Sequence, residues 1–344
     1  METTVIETKE IDPRIKLLSY SSLLTLHTCP RKYQLYRLKA TDDVSSPLAE
    51  SNQNLTFAFG HVVGDGVQRL MAGQSEDSVI FQMFLDFHAD LADFNEKQNK
   101  SFYLAVAAVQ KFANMRQFGF LDDYEVMMYN GKPACELSFT ISFPDGFKMR
   151  GSVDVVLQHK TSGKVMILEL KTSSTTNLNP TTYKNSAQGI GYSVILDVIC
   201  PDITSYDVLY LVYLTKDMNY EQLTFPKTYL QRATWIQELL LDIETIKLYE
   251  SVGVYPMRGE SCNSFFRDCE YLNQCTLSTK LITTRYIPED HADNKVYDIQ
   301  LTLMDLINRQ MIGTSSADSS AEMAVSSESE LSSLTYDDSG DIKL

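Results

Sequence analysis

Three ionisable side chains interrupt two otherwise apolar segments near the middle of the chain. Asp154 lies in the segment GSVDVVLQ, and Glu169 and Lys171 lie in the next apolar segment, VMILELKT. An ionised group inside a strand is costly unless it is paired or holds a metal ion. Residues two apart on a strand project from one face, so Glu169 and Lys171 are neighbours. If the two segments pair as a hairpin, all three side chains converge at one end of a sheet.

This combination of groups suits a hard divalent cation. Mg²⁺ and Mn²⁺ take carboxylate oxygens and keep several waters, and the backbone carbonyl of Leu170 is a natural additional ligand. Such an ion lowers the pKa of a bound water and offsets charge on a phosphate oxygen. Lys171 is placed to orient the attacking water or to stabilise the developing charge. The alternative is a hairpin at the sheet edge whose charges face solvent as cross-strand pairs.

The surrounding pattern predicts helices first and strands afterwards. Ser19 and its neighbours supply N-cap residues for a helix that Pro30 divides before it resumes towards Leu38. Further helical spacing covers 57–71 and 76–118. Predicted strands then cover 125–129, 135–141, 147–157, 165–171, 208–214 and 221–225, with helices over 182–199, from Pro226 to about 249, and over 296–311. This order favours an α/β (α+β) domain with a central mixed β-sheet that contains an antiparallel meander and is flanked by helices.

Composition narrows the class of protein. The 344 residues carry a net charge of −15, which argues against broad adhesion to nucleic acid or anionic membranes but allows a local basic groove. No apolar run approaches the roughly 20 residues that span a bilayer, and the first residues lack a secretory signal. Six cysteines are too few for a disulfide scaffold, so we expect a cytoplasmic protein without membrane contacts.

The order of these motifs resembles the PD-(D/E)XK nuclease superfamily, and in particular its RecB-type exonuclease branch. Asp154 followed by Glu169-Leu170-Lys171 is similar to the D…(D/E)-x-K core, and Gly151-Ser152-Val153-Asp154 to the G-x-x-D entry. Gln188 to Tyr192 resembles the Q-x-x-x-Y motif, and Ser19-x-Ser21 with Cys29-Pro30-Arg31-Lys32-Tyr33 the S-x-S…CPxxY opening. The resemblance runs from about residue 19 to 275.

This resemblance implies a restriction-endonuclease-like core with an N-terminal helical insertion. It implies a metal-dependent DNA nuclease, expected to be an exonuclease that acts on DNA ends or single strands in recombination, repair or replication. The implied catalytic residues are Asp154, Glu169 and Lys171, of which the two carboxylates and the Leu170 carbonyl bind Mg²⁺ or Mn²⁺. The implied nucleic-acid-binding residues are Gln188 and Tyr192, and the basic residues best placed to touch phosphates include Arg31 and Lys184.

One position departs from the family pattern. Members commonly carry a metal-binding His on the helix after a small-residue turn, and in this chain Gly64 falls at that position. His61, about one helical turn earlier, is a candidate substitute. Asp65, Gln68 or a water molecule are the alternatives. A lone His is often structural or merely exposed.

The cysteines resemble a second family feature. AddB-type and CRISPR-associated nucleases hold a [4Fe–4S] cluster with one Cys before and three after the nuclease core, and Cys29, Cys262, Cys269 and Cys275 follow that order. The spacing from Cys262 to Cys269 is longer than usual. A cluster, a zinc ion and plain buried thiols therefore all remain open.

We expect a mobile arm over 1–18, one nuclease-like domain over 19–312 and a disordered, acidic, Ser-rich tail over 313–344. The domain divides into a helical part (19–120), a catalytic core (121–250) and a Cys-containing part (251–312). The alternative function is a catalytically silent adaptor with the nuclease fold, which binds DNA or proteins in a recombination or replication complex. A weaker alternative is an iron–sulfur redox protein.

Overall fold

The computed structural model describes residues 10–38, 55–90, 100–175, 177–200, 206–264, 267–272, 275 and 296–309. The first nine residues of the expected arm and the whole Ser-rich tail over 313–344 lie outside this part of the chain. None of the described helices is both long enough and apolar enough to cross a lipid bilayer.

The second half of the predicted arm is part of the fold. Ile15 and Leu18 are fully buried. Strand β1 (Leu17–Leu18) pairs in parallel with Lys148 and Met149. The apolar side chains of this short segment therefore anchor it to the sheet before the first helix begins.

The first helices follow the predicted interruption. Helix α1 covers Tyr20–Thr28 and helix α2 covers Pro30–Leu38, with the break at Cys29. Ser19 caps α1 through a reciprocal pair of hydrogen bonds with Ser22, which satisfies backbone donors that the first turn leaves without a partner. Pro30 begins α2, where its missing N–H costs nothing.

The remaining helices lie on both sides of one sheet. They are α3 (Leu55–Met71), α4 (Glu76–Asp90), α5 (Phe102–Gln117), α6 (Pro180–Lys184), α7 (Ala187–Ile199) and α8 (Tyr229–Val252). The further strands are β2 (Tyr124–Val126), β3 (Met128–Tyr129), β4 (Lys132–Pro133), β5 (Cys135–Ser142), β6 (Lys148–His159), β7 (Val165–Ser173), β8 (Tyr206–Leu214), β9 (Asn219–Lys227), β10 (Asn263–Ser264), β11 (Arg267–Asp268) and β12 (Ile299–Thr302).

The main sheet is mixed. Its order is β12-β5-β6-β7-β8-β9, and β1 and β2 also pair with β6. The meander β5-β6-β7 and the pair β8-β9 are antiparallel, whereas β7-β8 and β12-β5 are parallel. The parallel step from β7 to β8 is made possible by the crossover through α6 and α7.

Each face of the sheet has its own apolar core. The first core packs the sheet against α1, α2, α7 and α8. The second core packs it against α3, α4 and α5. The predicted mixed sheet flanked by helices is confirmed. The helical N-terminal part is divided between the two faces, with α1 and α2 on one and α3, α4 and α5 on the other.

Some predicted elements were wrong in detail. Pro226 does not start a helix: it lies in β9, an edge strand where a missing N–H is tolerated, and α8 begins after Thr228, which caps it. The predicted helix over 296–311 contains strand β12, followed by helical residues 303–309. The predicted helix over 182–199 is divided between α6 and α7.

Candidate active site

Strands β6 and β7 separate where the predicted carboxylates lie. Their backbone pairing ends at Val155 and Leu168, one residue short of Asp154 and Glu169. In place of the next ladder pair, the Leu170 backbone N–H donates a 2.9 Å hydrogen bond to Asp154 Oδ2. Strand β7 meanwhile stays paired with β8 along its whole length. The separation leaves a notch in the sheet at the two carboxylates.

Beside this notch, the core-facing side chains of β5 and of β6 switch from one face of the sheet to the other. Val153 belongs to the core under α7 and α8, whereas Val155 belongs to the core under α3, α4 and α5. Leu137 and Cys135 differ in the same way on β5. Between them, Glu136 has a φ of 53°, a left-handed conformation that is uncommon for a residue with a side chain. Strained backbone positions of this kind cluster at functional sites.

The carboxylates share one electrostatic environment. Burial, and then the charge of Glu169, raise the pKa of Asp154 well above its usual value, although the Leu170 N–H opposes this. Burial also raises the pKa of Glu169, against the effect of Lys171. Glu136, which accepts a 2.6 Å hydrogen bond from Ser152 Oγ, raises both pKa values further. Carboxylates in this situation are stabilised in their ionised form by a bound cation.

Glu169 is the least satisfied of these groups. Its side chain is 1% exposed, and its Oε1 lies 2.6 Å from Lys171 Nζ. Within the described residues, Oε2 has no hydrogen-bond partner. A buried carboxylate oxygen without a donor fits a divalent metal ion, for which oxygen is the preferred ligand. Across the described ranges, however, no group of three or more His, Cys, Asp or Glu side chains is arranged to hold a metal, so a protein set would rest on Asp154 and Glu169.

A chain of hydrogen bonds holds Lys171 in place. Lys171 Nζ donates to Gln188 Oε1 over 2.9 Å, and Gln188 Nε2 donates to the Tyr192 hydroxyl over 2.7 Å. Gln188 and Tyr192 lie on one face of α7, as their spacing predicts. Tyr192 is only 3% exposed, while Gln188 is half-buried. The pair therefore holds Lys171, the predicted catalytic lysine, and the strand-binding role implied by the family pattern stays a prediction.

Tyr20 is a site residue that the sequence reasoning missed. Its hydroxyl is buried without a hydrogen-bond partner in the described part of the chain, and its ring lies 5.3 Å from that of Tyr192. Burial, followed by the charge of Glu169, raises the pKa of Tyr20 well above its usual value. A Cβ at Gly191 would overlap the Tyr20 hydroxyl. The only available signal was the position of Tyr20 inside the S-x-S motif.

The outer predicted residues lie in different surroundings. His61 is exposed on α3 and belongs to no metal-holding group within the described residues. Lys184 is exposed at the end of α6, which ends next to the site through Tyr183. Arg31 contacts Gln34 and lies close enough to Cys275 to influence its thiol. Arg31 therefore lies beside Cys275, one of the four cysteines of the predicted cluster.

The four predicted cysteines come near one another. Burial raises the pKa of Cys275, Arg31 opposes the change, and the nearby Cys269, Cys29 and Cys262 raise it further. At Cys29, burial is outweighed by backbone N–H groups and a hydroxyl near the sulfur, so its pKa is lowered. The cysteines thus lie near one another. Among the described residues, however, no group of three or more Cys, His, Asp or Glu side chains is arranged to hold a metal ion.

The comparisons with known proteins differ in what they show about the chain. No curated protein matches the chain. Among solved structures, one titled "Crystal structure of SSO0001" matches with a TM-score of 0.25 and 15% identity, over 50% of this chain and 87% of that one. A similarity this low supports no conclusion. The sequence model of the PD-(D/E)XK nuclease superfamily, by contrast, matches residues 17–276, which include Asp154, Glu169 and Lys171, and the chain therefore belongs to that superfamily.

Proposed function

We propose that this protein is a divalent-metal-dependent deoxyribonuclease. The observation that supports this most strongly is the state of Glu169. It is a buried carboxylate paired with Lys171 where two strands separate, and one of its oxygens has no donor among the described residues. A purely structural ion pair gains nothing from such an unpaired oxygen. A metal site uses this oxygen as a ligand.

Each residue has a distinct role in this proposal. Asp154 and Glu169 hold Mg²⁺ or Mn²⁺, with the Leu170 carbonyl as a further ligand and His61 as a candidate ligand. When bound, the ion activates water and offsets charge on the phosphate. Lys171 orients the water towards phosphorus and stabilises charge on the non-bridging oxygen. Gln188 and Tyr192 keep the Lys171 ammonium at that position.

The proposed substrate is DNA with an accessible end or a single-stranded region. The half-buried Gln188 and the exposed Lys184 flank the carboxylates on the α6–α7 side and are the proposed strand contacts. Exonuclease action in recombination, repair or replication, as in the RecB-type branch, is the specific form we propose. An endonuclease would use the same catalytic groups. Cleavage of free-ended and end-blocked DNA therefore has to distinguish the two activities.

Cleavage of labelled DNA tests the proposal. Single- and double-stranded substrates, each with free or blocked ends, are incubated with Mn²⁺ or Mg²⁺. The wild type should cleave free-ended strands, and Asp154→Asn and Lys171→Met should abolish cleavage while circular dichroism shows them folded. Lys164→Met is the matched control because Lys164 pairs with Asp207 on the surface. Equal cleavage by all variants would exclude the assigned site.

The alternative is a silent adaptor with the nuclease fold. The exposed His61 and the net charge of −15 favour it. Titration calorimetry with Mn²⁺ separates the two proposals. The nuclease should bind Mn²⁺ through Asp154 and lose that binding in Asp154→Asn, whereas the adaptor should bind no metal through this carboxylate.

The neighbourhood of Cys29, Cys262, Cys269 and Cys275 is proposed as a [4Fe–4S] site. The nearness of the four thiols and the lowered pKa of Cys29 support it. Anaerobically purified protein should be brown and contain iron and acid-labile sulfide, and Cys275→Ser should lose both. Cys200→Ser is the control, since Cys200 contacts Met127 elsewhere. Colourless protein with zinc would indicate a zinc site, and neither metal would indicate plain thiols.

A further inference from the structure

A cavity of about 610 Å³ adjoins the candidate active site. It is lined by residues of α3, β5 and β6, including Glu136 and Ser152. Ser152 precedes Asp154 by two residues on β6, a distance of about 7 Å along a strand. The volume lies within the range of roughly 300–1,000 Å³ that is usual for pockets that take small ligands. The cavity and the carboxylates therefore share a wall.

One buried oxygen in the cavity lining has no hydrogen-bond partner in the part of the chain that the structure describes. Gln68 on α3 is only 6% exposed, and its Oε1 accepts no hydrogen bond from any described residue. Buried amide oxygens are almost always hydrogen-bonded, because leaving one unpaired is costly. A ligand with an N–H group would satisfy this acceptor.

The charges around the cavity do not favour an anion. Among the described lining residues, Arg69 and Arg150 are balanced by Asp65 and Glu136. Arg69 Nε lies 2.6 Å from Asp65 Oδ2, and the same guanidinium lies 3.8 Å from an oxygen of Asp86. A phosphate group would find no excess of positive charge here. A neutral, polar ligand with N–H donors is the better match.

Helix α3 connects the cavity with the other side of the site. Gly60 packs against Thr172, the residue after Lys171, so that a Cβ at this position would lie 3.2 Å from Thr172 Oγ1. Gln68 follows eight residues later, about 12 Å along the helix axis. Thr172 projects from the face of β7 opposite Lys171, so α3 runs along that opposite face from Thr172 to the cavity. Glu136 links the cavity to the carboxylates, because it lines the cavity and its charge acts on both Asp154 and Glu169.

We infer that this cavity receives one unstacked base of a single-stranded nucleic acid, with Gln68 Oε1 accepting an N–H of the base. The inference rests on the proposed function, because the strand must lie across Asp154 and Glu169. A base paired within a duplex reaches such a cavity only after it has been extruded, at the cost of its stacking and pairing. The cavity thus favours single strands or frayed ends.

Abasic scanning tests this inference. Wild-type protein with Mn²⁺ cleaves a single-stranded oligonucleotide, and one abasic residue is moved stepwise through the sequence. Bonds at a fixed distance from the abasic residue should be cleaved about tenfold more slowly, as expected for the loss of one base contact. This gap in the cleavage pattern should move together with the abasic residue.

Gln68→Met keeps the side-chain volume but removes the acceptor, so it should cleave intact strands about tenfold more slowly and show no moving gap. Gln110→Met, on the exposed face of α5, should behave like the wild type. Thermal melting confirms that both variants are folded. Cleavage without a moving gap, or a gap that persists in Gln68→Met, would overturn the inference and leave the proposed nuclease intact.

Absence of cleavage on every strand would instead remove the proposed nuclease activity. Binding in EDTA then decides the cavity separately, with fluorescent strands that carry bases or are wholly abasic. Wild type should prefer the strand with bases, and Gln68→Met should reduce that preference about tenfold. An equal preference in both proteins would contradict base capture by Gln68.

Discussion

Two ion pairs with a buried carboxylate lie on the same side of the sheet, and they differ in how completely their atoms are hydrogen-bonded. Arg232 on α8 meets Asp197 on α7 at 2.9 Å, with side chains 3% and 5% exposed. Arg232 also donates to the Lys227 carbonyl over 2.7 Å and lies 5.4 Å from the centre of the Tyr206 ring. This pair joins two helices, and its guanidinium is engaged on several sides.

The pair of Lys171 and Glu169 is arranged differently. Glu169 is 1% exposed and Lys171 37% exposed, so one partner is buried while the other reaches the surface. Glu169 keeps an oxygen without a donor in the described residues, and burial raises its pKa. The comparison indicates that burial alone does not identify a functional charge pair. The carboxylate oxygen without a donor, beside an opening in the sheet, is the feature on which the proposed function rests.

The largest expected effect on stability is at the satisfied pair. Asp197→Ala leaves the Arg232 guanidinium buried without its carboxylate, so the free energy of unfolding should fall by about 3–5 kcal/mol. Urea denaturation measures the change. Asp207→Ala, which breaks the exposed pair with Lys164, should cost at most about 1 kcal/mol. Equal losses in the two variants would show that the Arg232 pair is not structurally special.

The unsatisfied pair should respond in the opposite way. Glu169→Gln removes a buried charge and should leave the free energy of unfolding in metal-free buffer unchanged or slightly raised. Cleavage should fall about 10³-fold, because a bound metal contributes several kcal/mol to transition-state stabilisation. Single-turnover cleavage and urea titration on the same preparation measure both quantities. A variant that is unstable yet active would reverse the assignment.

The effects of metal and pH on stability should also distinguish the two ion pairs. The pKa values of Asp154 and Glu169 are raised in the folded state. At a pH between the unfolded and the folded pKa values, the folded protein therefore binds more protons than the unfolded chain. These carboxyls therefore favour folding at low pH, and their contribution is lost as pH rises through the folded pKa values. Mn²⁺ replaces the protons, so it should stabilise the protein strongly at pH 8 and weakly at pH 5.

At a free Mn²⁺ concentration 100 times the Kd, the expected gain is about 2.7 kcal/mol. Thermal melting with Mn²⁺ or EDTA at both pH values measures it. Asp154→Asn should abolish the gain, whereas Asp207→Asn should keep it. A gain that is equal at both pH values would argue against metal binding by these carboxylates.

The smallest effect concerns the packing under Glu169. Gly191→Ala would place a Cβ 2.6 Å from the Trp235 ring and against the Tyr20 hydroxyl, so it should cost about 1–3 kcal/mol. Gly64→Ala meets no described atom within 4 Å on α3 and should instead stabilise the protein by about 0.5–1 kcal/mol. Thermal melting compares the two. A stabilising Gly191→Ala would mean that Tyr20 is loosely packed.

Elements with local signals were predicted well. The Pro30 break, the β5-β6-β7 meander and the end of α3 at Met71 follow from periodicity and turn residues close in sequence. The errors were at elements defined by distant partners. Strand β12 is a strand because it pairs in parallel with β5, which is far away along the chain, and the 296–311 pattern alone favours a helix. Pro226 fits a helix start equally well until β9 is seen to be an edge strand.

The sequence by itself determined which groups could do chemistry. The two-residue spacing of Glu169 and Lys171 places both on one face, and the four-residue spacing of Gln188 and Tyr192 does the same on a helix, because these periods are properties of the backbone. Only the tertiary structure decided where the β6-β7 ladder opens and that Gln188 holds Lys171. It also decided that the Tyr20 hydroxyl and Gln68 Oε1 lie buried with no hydrogen-bond partner among the described residues. Those features depend on contacts between segments far apart in the chain, which no local pattern records.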